Sequence, residues 1–246
     1  VTIPRLFEPG RGLRPGSSFI PANEVLHYLR RVLRLKPGDS VLVLDGGPCA
    51  WRAVLSGGEE GLELKVVEVE EGVRVVPDGR RICVLVPALK GDRHELAIQK
   101  ATELGATSLM VYFADRCIPR PSARESKKLE RYRKVVEEAC RQCDRASIPE
   151  VTLHDSLSAA MSCLPDGDAR FILSEIGTPG PLVRLASTPG AVTLAIGPEG
   201  SFTDEERAML LRAGFVPAGL GPRVLKAETA VIAAVMAVQV AAGDMG

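Results

Sequence analysis

The chain of 246 residues is 46% hydrophobic and carries 31 basic and 31 acidic side chains. That length suits one large or two small domains with a sizeable core, and the zero net charge excludes a uniformly basic nucleic-acid-binding surface. Its six cysteines and three histidines are scattered, so no metal site is expected, and no signal peptide is read, which makes reduced, cytoplasmic cysteines the simplest expectation.

Charge is nonetheless segregated. Residues 1–36 hold seven basic side chains against two acidic, residues 37–72 two against eight, and residues 116–145 ten against five. A neutral protein that contacts RNA phosphates needs such local patches, although a solvated helix surface produces the same pattern.

In chain order, Asn23 is placed to cap a helix running to about Leu33, with Lys36-Pro37-Gly38-Asp39 as the following turn. Val41–Leu44, Trp51–Leu55 and Leu62–Val69 read as strands between glycine-rich turns, so residues 1–72 are expected to form a small β-barrel-like domain. The pattern changes near residues 73–79. Residues 73–246 then alternate: strand Ile82–Pro87, helix Arg93–Leu104, strand Ser108–Phe113, helix Ala123–Cys143, and strands near Val151, Phe171, Val192 and Phe215. Alternation of this kind predicts an α/β domain with a mostly parallel sheet and helices on both faces. Asp92 with Glu95, Ser122 with Glu125 and Thr203 with Glu206 have capping-box spacing.

In the helix Ala123–Cys143, Leu129, Tyr132, Val136, Ala139 and Cys143 form an apolar stripe. Lys127, Arg131, Lys134, Arg141 and Arg145 fall mainly on another face, with Glu138 among them; that face suits an RNA backbone or plain solvent. The last helix, about Thr229–Ala242, is apolar almost all round. It is shorter than the roughly 20 residues that span a bilayer, so no membrane contact is expected. It must be buried on most sides, and a subunit interface would achieve that.

Two loops carry the chemistry. Ala191–Ile196 reads as a buried strand leading into Gly197-Pro198-Glu199-Gly200-Ser201-Phe202, and Leu220-Gly221-Pro222-Arg223-Val224-Leu225-Lys226-Ala227-Glu228-Thr229-Ala230 follows the next strand. Strand-to-helix loops line the ligand edge of an open α/β sheet. Gly197 and Gly200 let the backbone approach a ligand, and a Cβ at Gly197 is expected to block that approach. No G-x-G-x-x-G or G-x-x-x-x-G-K-[ST] is present, which disfavours a nicotinamide or nucleoside triphosphate enzyme. Neither G-x-S-x-G nor H-E-x-x-H, the signatures of hydrolases, occurs.

These loops resemble the motifs of the SPOUT class of S-adenosylmethionine-dependent RNA methyltransferases. More closely, they resemble those of the bacterial family that methylates uridine N3 in small-subunit (16S) ribosomal RNA, with its GPEGGF-type and LGxRILRxETA-type loops. Ser201 stands for the second glycine of the first motif, and Val224 and Lys226 for the usual Ile and Arg of the second. Lys100-Ala101-Thr102-Glu103-Leu104-Gly105, Asp115-Arg116-Cys117 and the segment Glu138–Arg145 (an EAxxQSxR-like motif with Cys143 for Ser) also match, as does the pattern from His27 to Gly46. The resemblance covers nearly the whole chain.

It implies a PUA-like RNA-binding domain at 1–72, a SPOUT domain at 73–246 with a C-terminal trefoil knot, and a homodimer through that domain. It implies S-adenosyl-L-methionine held by backbone groups of Ile196, Gly197, Pro198, Glu199 and Gly200 and of Leu220, Gly221, Val224 and Leu225, with Leu173 as a third wall and Ala230 beside them. By motif position, Arg116, Arg141, Arg145 and Arg223 are candidates to stabilise the uracil anion. Glu138 is a possible proton acceptor, with an ion pair to Arg141 or Lys134 as its structural alternative. Arg5, Arg30, Arg31, Arg34, Lys127 and Arg131 are expected to hold ribosomal RNA. A ribose 2′-O methyltransferase and a non-catalytic RNA-binding protein remain alternatives at this point.

Overall fold

A computed structural model describes residues 3–8, 10–47, 49–57, 62–71, 80–117, 125–143, 145, 147–173 and 180–245. The chain forms two compact units. One comprises residues 1–77 with 140–148, the other 78–139 with 149–246. The sequence boundary at 72/73 lies outside the described residues, as does Ser122, the proposed cap of the long helix.

The first unit contains β1 (Arg5–Phe7), β2 (Ser18–Phe19), α1 (Asn23–His27), β3 (Ser40–Leu44), β4 (Ala50–Ser56) and β5 (Glu63–Val69). The strands form one five-stranded sheet in the order β1-β3-β4-β5-β2, antiparallel except for β1 with β3. Val41 and Val43, Ala53 and Leu55, and Leu64 and Val66 alternate along their strands and meet Leu6, Phe19 and Leu29 in the core. Among the described residues β1 and β2 are edges, so the pairings do not close the expected barrel. The expected helix cap also differs. Ala22, extended at φ −57° and ψ 151°, precedes a helix in which Asn23 is already the first residue. A π-helical turn, Tyr28–Val32, follows and buries Leu29 completely. Arg34 then leaves it in the left-handed region at φ +55°.

The second unit runs β6 (Ile82–Pro87), α2 (Arg93–Glu103), β7 (Ser108–Tyr112), α3 (Glu125–Cys143), β8 (Glu150–His154), α4 (Leu157–Met161), β9 (Ala169–Leu173), β10 (Gly180–Pro181), α5 (Leu182–Leu185), β11 (Val192–Ala195), α6 (Asp204–Arg212), β12 (Val216–Gly219) and α7 (Ala227–Ala242). Its seven strands are ordered β10-β12-β9-β11-β6-β7-β8, and every pairing is parallel. Central β6 is buried at every residue and reads Ile-Cys-Val-Leu-Val-Pro, the continuous apolar run of a strand covered on both faces. Asp92 occupies the N-cap of α2 without a side-chain cap bond. Its expected partner Glu95 pairs with Arg131 of α3 instead.

Helix α7 packs on α2 and α5. Val231, Ala234, Val235, Val238 and Gln239 are its buried side. Met236 and Val240 remain 41% and 46% exposed, so the helix is not covered all round within one chain. Among the described residues no helix is long and apolar enough to cross a membrane.

Candidate functional site

Strand order places the two glycine-bearing loops. β9 lies between β11 and β12, with Ala195 opposite Ile172 and Leu173 opposite Ala218. The strands feeding the loops are therefore separated by one strand, and Leu173 sits at the end of that strand, between the loops. At about 4.8 Å per strand the loops start about 10 Å apart.

The first loop folds back on itself. A Cβ at Gly197 would lie 3.1 Å from Phe202 Cδ2 and 3.2 Å from Cε2, so the close approach that needs this glycine is to the chain's own ring. This corrects the expectation that the missing Cβ leaves space for a ligand. A Cβ at Gly200 would lie 2.9 Å from Arg116 Cβ. The Ser201 amide donates to the Pro198 carbonyl at 2.9 Å, closing a turn that holds Ser201 at φ +59°. The capping box forms as expected: the Thr203 hydroxyl accepts from the Glu206 amide at 3.1 Å, and the Glu206 carboxylate accepts from the Thr203 amide at 2.9 Å.

Three groups from the β7 end support this loop. The Tyr112 hydroxyl, fully buried, donates to the Ile196 carbonyl at 2.6 Å. The Asp115 amide donates to Glu206 Oε1 at 3.0 Å. Arg116 Nη1 donates to the carbonyls of Gly200 at 3.2 Å and Phe202 at 3.4 Å. From α2, Arg93 Nη1 lies 3.2 Å from Glu199 Oε1, so that carboxylate is engaged with the protein. Tyr112 and Arg93 carried no sequence signal, because their partners are backbone or lie over a hundred residues away.

In the second loop Gly221 turns the chain at φ +108°. Leu220, Leu225 and Ala230 are half-buried, and Pro222, Arg223 and Lys226 are exposed. Val224 is 77% exposed, the least covered large apolar side chain described. Glu228 in the first turn of α7 is 8% exposed, and among the described residues its Oε2 has no hydrogen-bond partner. An exposed apolar wall beside an orphaned carboxylate oxygen suits a ligand with an apolar body and a cationic or N–H-bearing group.

The other predicted residues are placed as follows. Arg141 and Glu138 are exposed on α3. Arg145 is 5% exposed and donates to Ser147 Oγ at 3.3 Å; with Arg141 it groups with the first unit. Lys127 is exposed, whereas Arg131 is held by Glu95 at 2.6 Å and faces Asp92 at 3.6 Å. In the first unit Arg30 and Arg31 line a cleft of about 470 Å³ with Asn23, Leu26 and His27. Arg34 is exposed next to them in sequence, and Arg5 is half-buried in β1. A second cleft, about 670 Å³, opens at the opposite ends of β6, β7 and β8, around Cys83, Ser108 and Glu150. Cys140 and Cys143 stand at C-x-x-C spacing, contrary to a purely scattered reading, and all six cysteines are free thiols. Among the described residues no group of three His, Cys, Asp or Glu is placed to hold a metal ion.

Residues 77–239 match the family of RNA methyltransferase domains, and residues 21–67 match the family of RNA methyltransferase PUA domains. A parallel α/β domain with paired loops and a separate PUA module thus define the class, that of RNA methyltransferases. Ribosomal RNA small subunit methyltransferase E of Synechocystis sp. is 34% identical over 209 residues, covering 83% of this chain and 67% of that protein. The Mycobacterium tuberculosis protein of the same name is 37% identical over 218 residues, 85% of this chain and 81% of the relative. A Neisseria gonorrhoeae ribosomal RNA small subunit methyltransferase E, solved bound to S-adenosyl methionine, superposes with a TM-score of 0.84 at 29% identity, over 97% of this chain and 98% of that one. The chain belongs to the ribosomal RNA small subunit methyltransferase E family.

Proposed function

We propose that the chain methylates uridine N3 in small-subunit ribosomal RNA, with S-adenosylmethionine as the methyl donor. The observation that carries this reading is the arrival of two glycine-bearing loops at one sheet edge, flanking Leu173. The family membership and the donor-bound Neisseria relative support it.

When bound, S-adenosylmethionine supplies an electrophilic methyl group. The backbone of Ile196–Gly200 and Leu220–Leu225 holds the donor, with Leu173, Leu220 and Leu225 as apolar walls and Ala230 behind them. No protein nucleophile is required, because uridine N3 attacks directly; the protein aligns the reactants and stabilises the uracil anion. Arginine suits a planar pair of anionic acceptors. Arg116 and Arg223 border the loops, and Arg141 and Arg145 lie on the motif at the end of α3. Glu138 on the exposed face of α3 is the proposed proton acceptor. The target base must be unpaired or flipped to expose N3, and Arg5, Arg30, Arg31, Arg34 and Lys127 hold the flanking RNA in the cytoplasm.

Two structural elements belong to the same reading. Met236 and Val240 stand one helical turn apart and are exposed on α7, with half-buried Ile232 a further turn back, which suits a homodimer interface. β12 lies between β9 and β10 in the sheet although those two strands are consecutive in the chain, an order that suits a trefoil knot.

The test is nucleoside mass spectrometry of small-subunit RNA incubated with the protein and S-adenosylmethionine. We expect 3-methyluridine. A 2′-O-methylated nucleoside in its place, or no methylated product, overturns the assignment.

A further inference from the structure

Ile196 lies one residue past β11 and continues its pairing with β6: its N–H donates to the Leu85 carbonyl at 3.2 Å. In a parallel ladder the same residue's carbonyl then accepts from the residue two further along the neighbour. Here that residue is Pro87, which has no N–H. A buried carbonyl left without a donor is costly. The Tyr112 hydroxyl reaches across from β7 and donates to it at 2.6 Å. Tyr112 is itself fixed, because its own carbonyl accepts from the Ala88 amide at 2.8 Å and its side chain has no exposed surface. Burial first, then the neighbouring Cys117 and Glu206, hold its phenol well above the ordinary pKa, so it stays a donor across the working pH range.

The consequence lies on the other side of the peptide. Among the described residues no peptide bond is cis, so the Ile196–Gly197 unit is trans, and its carbonyl and N–H point opposite ways. With the Ile196 carbonyl turned to the β6 and β7 side, the Gly197 N–H points to the β9 side. Glycine at 197 would otherwise let this peptide rotate freely.

We propose that Tyr112 is a positioning residue for the methyl donor: by supplying the hydrogen bond that Pro87 lacks, it locks the Ile196–Gly197 peptide and aims the Gly197 N–H at the bound donor. This rests on the function proposed above. The pairing of a proline gap with a buried tyrosine makes the lock independent of the loop's own sequence.

The experiment compares wild type, Tyr112→Phe and Tyr112→Phe/Pro87→Ala, the last restoring a backbone N–H opposite Ile196. S-adenosylhomocysteine binding is measured by calorimetry, and the Gly197 amide by nitrogen-edited NMR. For Tyr112→Phe we expect Kd to rise about tenfold, the size of one lost oriented hydrogen bond, with a displaced Gly197 resonance. The double variant should recover most of the affinity. Leu157→Ala in α4 serves as a stability control, lowering Tm without changing Kd. If wild type binds and Tyr112→Phe binds equally well, whatever its Tm, the inference falls and the functional reading stands. If wild type binds neither S-adenosylmethionine nor S-adenosylhomocysteine, both fall. Should Tyr112→Phe not fold, a folded double variant that fails to bind also overturns the inference, and one that binds supports it.

Discussion

The Glu206 carboxylate accepts the Asp115 amide through one oxygen, at 3.0 Å, and closes the capping box of α6 through the other. One buried side chain, 3% exposed, thereby ties the loop after β7 to the helix that follows the first glycine loop. The sequence spacing revealed only its cap role.

Comparing Thr203→Ala with Glu206→Ala separates the two roles. Loss of the Thr203 cap should cost about 1 kcal/mol. Loss of Glu206 removes a cap bond and the Asp115 bond together and should cost about 2–3 kcal/mol. Urea unfolding of both variants reads the difference, and equal losses would show that the Asp115 bond contributes nothing.

Ser201 sits at φ +59°, where a non-glycine residue is strained and where the resemblance expects glycine. Ser201→Gly should relieve that strain and offset the added unfolded-state entropy, for a net gain of about 0.5–1 kcal/mol. Thermal unfolding checks this through a raised Tm. An unchanged or lowered Tm would mean that the serine side chain repays its own strain.

Most of the strand and helix positions were legible because apolar periodicity decides them. β6 spans the residues that its apolar run marks out, and along the predicted stripe of α3 Tyr132, Val136 and Ala139 are buried while Leu129 and Cys143 at its ends are half-buried. What stayed hidden depends on contacts distant in sequence. Asn23 has the chemistry of a cap, yet the extended Ala22 already starts the helix one residue earlier. β10 is two residues long and leaves no periodicity to read. Both site loops were visible from their glycines and β9 from its apolar run near Phe171, but the place of β9 between β11 and β12 was not, because strand order is not written locally. Gly197 was read as space for a ligand, whereas the ring that fills it, Phe202, comes from the same loop.

Arg31 lines the cleft of the first unit, and Arg34 follows the same π-helical turn. Replacing both with alanine should weaken RNA binding and lower the salt dependence, by about 1.4 in the slope of log K against log salt for a single strand. S-adenosylhomocysteine affinity should not change. Filter binding across a salt series measures the slope, and an unaltered value would remove this patch from the RNA footprint.

His94 links acid stability to the α2–α3 contact. Its Nδ1 lies 3.0 Å from the Leu89 carbonyl, and its ring meets Tyr132 edge-on at 5.0 Å. Burial lowers its pKa, outweighing the Leu89 carbonyl and Glu95, which raise it. In the unfolded chain it protonates near its ordinary value of 6.5. Between the folded and unfolded values the unfolded chain holds more protons, so stability is complete above about 6.5 and declines as pH falls through the folded value. His154 is shifted the same way by burial, against Asp155, so some decline will persist without His94. Urea unfolding between pH 5 and pH 8 (roughly the range in which histidine changes charge) should therefore show a shallower acid slope for His94→Gln than for wild type. Superimposable slopes would show that His94 pays no desolvation cost in the folded protein.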